Sequence, residues 1–211
     1  MQKMNDYQWE IDKIEELKRL ENKPRLLMHS CCAVCNSWPL ELLSPIFDIT
    51  LYYNNSNIYP ESEYQARILE LRKYVERFNE THDSHIQIIE EIYDYTSYHQ
   101  LYLSKRADDK EGYKRCGMCY ALRINQTLKY ASTHGFDYVT TVMTISRQKN
   151  SDKINGIVRK LVRAYPNVQY FYSNFKKGRG IDFSVATAKS LGMYRQEYCG
   201  CEYSIHDPKL D

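Results

Sequence analysis

Short apolar runs and longer amphipathic runs alternate along this chain, and that alternation constrains its fold more than any other feature. Arg25 to His29, Phe47 to Tyr53, Ile86 to Ile89, Phe136 to Thr144 and Val168 to Tyr172 read as short, mostly buried strands. Helical patterns lie between and after them. Trp38 to Leu43 carries Pro39 in its first turn, and Glu61 to Asn79 repeats Tyr64, Ile68, Leu71, Tyr74, Val75 and Phe78 at the spacing of one buried helical face. Tyr95 to Arg106, the run from Cys116 to Gly135, Asp152 to Tyr165 and Ser184 to Leu191 complete the series, while Ala107 to Arg115 reads as a charged, solvated connection. Strands joined through helices return parallel to one another, so the expected class is α/β: a three-layer, doubly wound, mostly parallel five-stranded sheet. The charged helix before Pro24 precedes this pattern. The expected division is an N-terminal helical extension, residues 1–24, and one α/β catalytic domain, residues 25–211.

In such a sheet ligands bind beyond the carboxyl ends of the strands. Cys31 and Cys32 stand there, directly after the first strand. They belong to a set of seven cysteines that falls into three tight groups: Cys31, Cys32 and Cys35; Cys116 and Cys119; Cys199 and Cys201. Seven thiols are an odd count in a chain with no apolar leader, which points to metal or redox chemistry before a disulfide scaffold. Four of them, an adjacent pair and a Cys-x-x-Cys pair, suit an iron–sulfur cluster or a structural zinc. Adjacent cysteines diverge and fit a cuboidal cluster more easily than one tetrahedral ion. Cys199-Gly200-Cys201 reads either as a redox-active pair or as further metal ligands, and Cys35 as a second metal ligand or a free thiol at a helix start.

Charge excludes little: 29 basic against 27 acidic residues leave a net charge of +2, so contact with nucleic acid must come from local basic surface. Arg147, Lys149 and Lys153 form one basic stretch; Lys176, Lys177 and Arg179 form another, in which Gly178 and Gly180 would let a backbone approach closely. Tyr52, Tyr53 and Tyr59 offer stacking faces near the same strand ends. Taken alone, these segments read better as ordinary solvated loops. His29 is placed as a proton source or as a satisfied strand-end histidine, and Asp152 and Asp182 are placed in loops as metal or proton partners. No apolar stretch reaches the length of a membrane span, and the expected location is the cytoplasm.

The ordered motifs Leu26-Leu27-Met28-His29-Ser30-Cys31-Cys32-Ala33-Val34-Cys35, Tyr53-Asn54-Asn55-Ser56-Asn57-Ile58-Tyr59-Pro60, Arg115-Cys116-Gly117-Met118-Cys119-Tyr120, Thr144-Ile145-Ser146, Asn174-Phe175-Lys176-Lys177 and Tyr198-Cys199-Gly200-Cys201 resemble the cobalamin-independent epoxyqueuosine reductase family, QueH. The likeness runs from about Arg25 to Ser204. It departs at Val34, where proline is usual, and at Asn174, where aspartate is common. The resemblance implies a fold similar to the nucleotide-binding α/β hydrolase superfamily that includes ATP pyrophosphatases. It implies an iron–sulfur oxidoreductase that reduces epoxyqueuosine to queuosine at the wobble position of tRNA. It also implies Cys31, Cys32, Cys116 and Cys119 as ligands of a 4Fe-4S cluster and Cys199 with Cys201 as a redox-active disulfide. An additional mononuclear iron beside Cys35 is a further expectation, as is an electron donor that the sequence does not identify. His29-Ser30-Cys31-Cys32 replaces the glycine-rich phosphate loop of the pyrophosphatases, so ATP use is not expected. Two rival readings of the same residues are a zinc-stabilised RNA-binding module without catalysis and a tRNA sulfur-transfer enzyme carrying persulfide on Cys199 or Cys201.

Overall fold

All five expected strands form, and every pairing between them is parallel. The structure, a computed structural model, describes residues 5–205. The elements are α1 (Asp6–Leu17), β1 (Arg25–His29), α2 (Ala33–Leu43), β2 (Asp48–Tyr53), α3 (Glu61–His82), β3 (Gln87–Glu90), α4 (Tyr95–Tyr98), α5 (Lys114–Thr133), β4 (Tyr138–Thr141), α6 (Ser151–Leu161), β5 (Gln169–Tyr170) and α7 (Gly180–Ser190). The strand order is β3-β2-β1-β4-β5. It reverses between β1 and β4, and the chain leaving those two strands diverges to open a crevice at their carboxyl ends.

Leu27 of β1 stands in register between Thr50 of β2 and Val139 of β4, at the centre of the sheet. Successive β1 side chains enter opposite layers. Leu26 and Met28 join a core with residues of α1, α2, α3 and α7, whereas Leu27 joins a second core with Ile124 and Leu128 of α5 and Ile154 and Val158 of α6. A central strand covered on both faces reads as an unbroken apolar run, which is how β1 appears in the sequence.

Helix α1 is capped by Asn5, whose side chain accepts from the backbone N–H groups of Tyr7 and Gln8. Ile14 and Leu17 enter the first core, and Trp9 sets its ring edge-on to Phe171 and Tyr172. Two buried carboxylates face the domain. Asp6 pairs with Arg159 and accepts from Asn155 Nδ2 at 2.8 Å, and Glu10 accepts from the Asn174 backbone N–H at 2.6 Å. Burial pushes Glu10 up to about 7, against the opposing pull of the Asn174 N–H.

Several local expectations are corrected. Helix α2 begins at Ala33, not Trp38, after an extended Cys32, so Pro39 lies inside it and Cys35 occupies its first turn. The missing proline N–H leaves the Cys35 carbonyl without its helical partner. The expected helix over Tyr95–Arg106 is four α-helical residues followed by a π turn at His99–Leu103 and a 3-10 turn at Ser104–Arg106. Strand β4 stops at Thr141, whose hydroxyl accepts from the Met143 N–H and starts a tight turn. Helix α7 starts at Gly180 instead of Ser184, and Gly180 serves packing instead of an approaching phosphate: a β-carbon there would lie 1.9 Å from the Phe175 carbonyl oxygen and 2.6 Å from Trp38. Among the described residues no helix is long and apolar enough to cross a membrane.

Candidate metal centre

Where β1 ends, the Ser30 N–H makes one more rung with the Tyr52 carbonyl at 2.9 Å before the chain turns into α2. Asn36, fully buried, ties the turn together by donating from Nδ2 to Ser30 Oγ and, at 2.6 Å, to the Cys32 carbonyl. This folding-back places the sulfurs of Cys31, Cys32 and Cys35 within 4.8 Å of one another, and Cys32 and Cys35 are 2.6 Å apart. Cys31 and Cys32 are buried and Cys35 is half-buried. Hydrogen bonds from Cys32 and Cys35 hold the Cys31 thiol well below its usual range, against the cost of burial, while donating to it raises the other two. Among the described residues this is the one such gathering of metal-ligating side chains. Three converging sulfurs are a soft donor set, suited to iron–sulfur groups, zinc or copper(I).

Two cations stand beside the trio. Burial disfavours the charge of Arg123 and of Lys149, and neighbouring cysteine sulfurs outweigh it: Cys119 and Cys31 for Arg123, and Cys199, Cys31 and Cys35 for Lys149. Both basic residues line a second cavity with Cys116, Cys119, Cys199 and Cys201. Cys116 accepts from the Gly112 N–H at 3.1 Å in the first turn of α5. The loop before it is mostly exposed, as expected, and is tied down where it meets α5: buried Arg115 donates to the Arg106 and Ala107 carbonyls and Lys153 donates to those of Gly112 and Tyr113. The Cys199–Cys201 segment is anchored by Arg67, which pairs with Glu63 at 2.6 Å and donates to the Tyr198 and Cys199 carbonyls. Gly200 sits at φ +103°, pressed on Ile58, a conformation and a space that suit glycine.

The seven sulfurs, all free thiols, are therefore grouped as three and four. Cys35 joins Cys31 and Cys32, whereas Cys116 and Cys119 line the cavity that holds Cys199 and Cys201. His29 is a satisfied strand-end histidine. It is fully buried, its Nε2 accepts from Arg123 Nε at 3.1 Å, and its Nδ1 therefore carries the proton and donates to Thr141 Oγ1 at 2.7 Å. Tyr53 is fully buried beneath Tyr64 and offers no stacking face, which corrects its expected contact with RNA. Tyr59 is 40% exposed and rests on Tyr95. Arg147, Lys177 and Arg179 are exposed, Lys149 is turned to the thiols, and Lys176 donates to the Lys149 carbonyl. Asp182 is exposed in the first turn of α7, not in a loop, and Asp152 is in the first turn of α6.

The sequence reading passed over Arg67, Arg123, Asn55 and Gln196. Asn55 accepts from Arg123 Nη2 and donates to the Ser30 carbonyl at 2.8 Å, locking the loop after β2 to the loop after β1. A signal for the arginines existed: Arg67 lies three residues after Tyr64 and four before Leu71, and Arg123 three after Tyr120, each on an otherwise apolar stripe. A cation on a buried stripe requires partners, and here it finds carbonyls and thiols.

The family model described as epoxyqueuosine reductase QueH matches residues 26–207. Relatives named epoxyqueuosine reductase QueH include one from Staphylococcus aureus, 35% identical over 205 residues, covering 97% of this chain and 82% of the relative. One from Streptococcus pyogenes serotype M1 is 37% identical over 189 residues, covering 90% and 73%. One from Haemophilus influenzae is 32% identical over 194 residues, covering 92% and 76%. With its family model matched from the first strand to the last cysteine pair, this chain belongs to the epoxyqueuosine reductase QueH family.

Proposed function

We propose that this chain reduces epoxyqueuosine to queuosine at the wobble position of tRNA, that Cys31 and Cys32 with Cys116 and Cys119 hold an iron–sulfur group, and that Cys35 holds a second metal beside it. The observation that carries the reading is the convergence of the Cys31, Cys32 and Cys35 sulfurs at the switch point of the sheet, in a chain of this family. The group would supply single-electron steps and a Lewis-acidic iron. Arg123 interacts with both Cys31 and Cys119, and the early start of α2 brings Cys35 to Cys31 and Cys32.

The protein's own residues do the rest. Arg123 and Lys149 offset the negative charge that the thiolates gather in a buried place. Removing an epoxide oxygen to leave an alkene and water consumes two electrons and two protons. Closing a disulfide between Cys199 and Cys201 releases the same number of each, so the pair serves as the local store of reducing equivalents, refilled by an electron carrier. Burial, with Cys199 close by, pushes the Cys201 thiol up to about 12. Arg147, Lys177 and Arg179 hold anticodon phosphates and Tyr59 stacks on a splayed base. In this division α1 is a packing extension docked through Asp6 and Glu10, and the catalytic domain follows from Arg25.

The experiment is anaerobic turnover of epoxyqueuosine-containing tRNA with nucleoside analysis by mass spectrometry. Queuosine appears with the iron-loaded protein, and Cys199→Ser with Cys201→Ser slows its formation at least tenfold with a protein reductant. Colourless, zinc-loaded protein that binds tRNA without converting it would overturn the reading.

A further inference from the structure

The segment after α7 brings one neutral amide to the sulfur trio. Gln196 Nε2 donates to Cys32 Sγ at 3.1 Å and lies 3.9 Å from Cys35 Sγ. Gln196 is half-buried and its chain position is fixed on both sides by α3. Two residues before it, the Tyr194 N–H donates to Glu70 at 3.2 Å and the Tyr194 hydroxyl to Glu63. Two residues after it, the Tyr198 carbonyl accepts from Arg67 at 2.9 Å, and Arg67 is itself paired with Glu63. The donor is thus held beside sulfur by bonds on both sides of it to one helix, α3.

We propose that Gln196 is a positioning residue that sets the reduction potential of the iron–sulfur group that Cys31 and Cys32 help to hold. A hydrogen bond to a ligating sulfur withdraws negative charge and favours the reduced, more negative state of an iron–sulfur group, so it raises the potential. Arg123 and Lys149 act on the trio as charges; Gln196 acts through a directed bond to Cys32 and, more weakly, toward Cys35. This inference rests on the metal reading above.

The test is anaerobic redox titration, followed by visible absorbance, of the iron-loaded wild-type protein, Gln196→Leu and Gln196→Lys, with iron and sulfide measured on each sample. Leucine keeps much of the side-chain volume and removes the donor; lysine restores a donor and adds charge. The expected result is full iron and sulfide in all three, a midpoint potential shifted negative in Q196L, and one restored or shifted positive in Q196K. Unchanged potentials in both variants would overturn the role of Gln196, and so would equal loss of iron from both, which would mark the side chain as structural filler. Wild-type protein that takes up no iron or sulfide would instead overturn the metal reading.

Discussion

Arg123 Nε donates to His29 Nε2 at 3.1 Å, in a place where neither residue meets solvent. The bond joins α5 to the last residue of β1, one residue short of the thiol loop. The same guanidinium donates to Asn55, and the carbonyl of Arg123 accepts from Asn54 Nδ2 at 3.1 Å. One buried cation therefore aligns the loops after β1 and β2 with the helix that carries Cys116 and Cys119.

Removing that cation leaves His29 and Asn55 with unanswered buried polar atoms. Arg123→Met is expected to lower stability by about 3 kcal/mol, and His29→Gln, which keeps an acceptor, by about 1 kcal/mol. Urea unfolding measures both. An Arg123→Met variant as stable as the parent would show that the guanidinium does not organise the loops.

Glu10 makes stability depend on pH. Its carboxyl is raised to about 7 in the fold from an ordinary 4.5, so the fold prefers the protonated form. The stabilisation is fully present below about pH 4.5 and is lost as pH rises through about 7, by roughly 3 kcal/mol once ionisation is complete. Glu10→Gln is expected to be more stable than the parent at pH 8, with the advantage vanishing by pH 5. Unfolding curves at the two pH values check the sign, and an equal difference at both would contradict it.

The exposed basic groups give a salt-dependence. Replacing Arg147, Lys177 and Arg179 together by alanine is expected to reduce the slope of log binding constant against log salt for an anticodon stem-loop by about 2, since each phosphate contact to a single strand contributes roughly 0.7. Binding titrations across a salt series read the slope, and an unchanged slope would remove these residues from the RNA surface.

Much of this fold was legible in the sequence because parallel strands covered on both faces are continuous apolar runs. Arg25 to His29 shows β1 with its observed bounds, and the placement of Cys31 and Cys32 at its carboxyl end followed directly. What local pattern hides is tertiary. Pro39 marks a helix start on propensity alone, yet α2 tolerates it inside, held at its beginning by the Asn36 side chain. The sequence grouped Cys35 with Cys31 and Cys32 but left open whether it is a metal ligand or a free thiol, and the early helix start brings its sulfur to theirs. Tyr53 looked available because it stands near the strand ends, whereas its hydroxyl finds the Tyr64 carbonyl at 3.3 Å and the ring stays in the core. Gly178 and Gly180 suggested a backbone open to phosphate, but Tyr7 and Trp38 fill those spaces. Gln196 carries no motif at all, and only the folded chain brings it to Cys32.

The central claim is that Cys31 and Cys32, with Cys116 and Cys119, hold the iron–sulfur group and that Cys35 stands beside it. Iron and acid-labile sulfide per chain, measured after anaerobic reconstitution of the parent, Cys35→Ala and the double variant Cys116→Ala with Cys119→Ala, test it directly. The account predicts that the double variant loses most of its iron and sulfide while Cys35→Ala keeps its sulfide. Full retention in the double variant together with loss of sulfide in Cys35→Ala would contradict it.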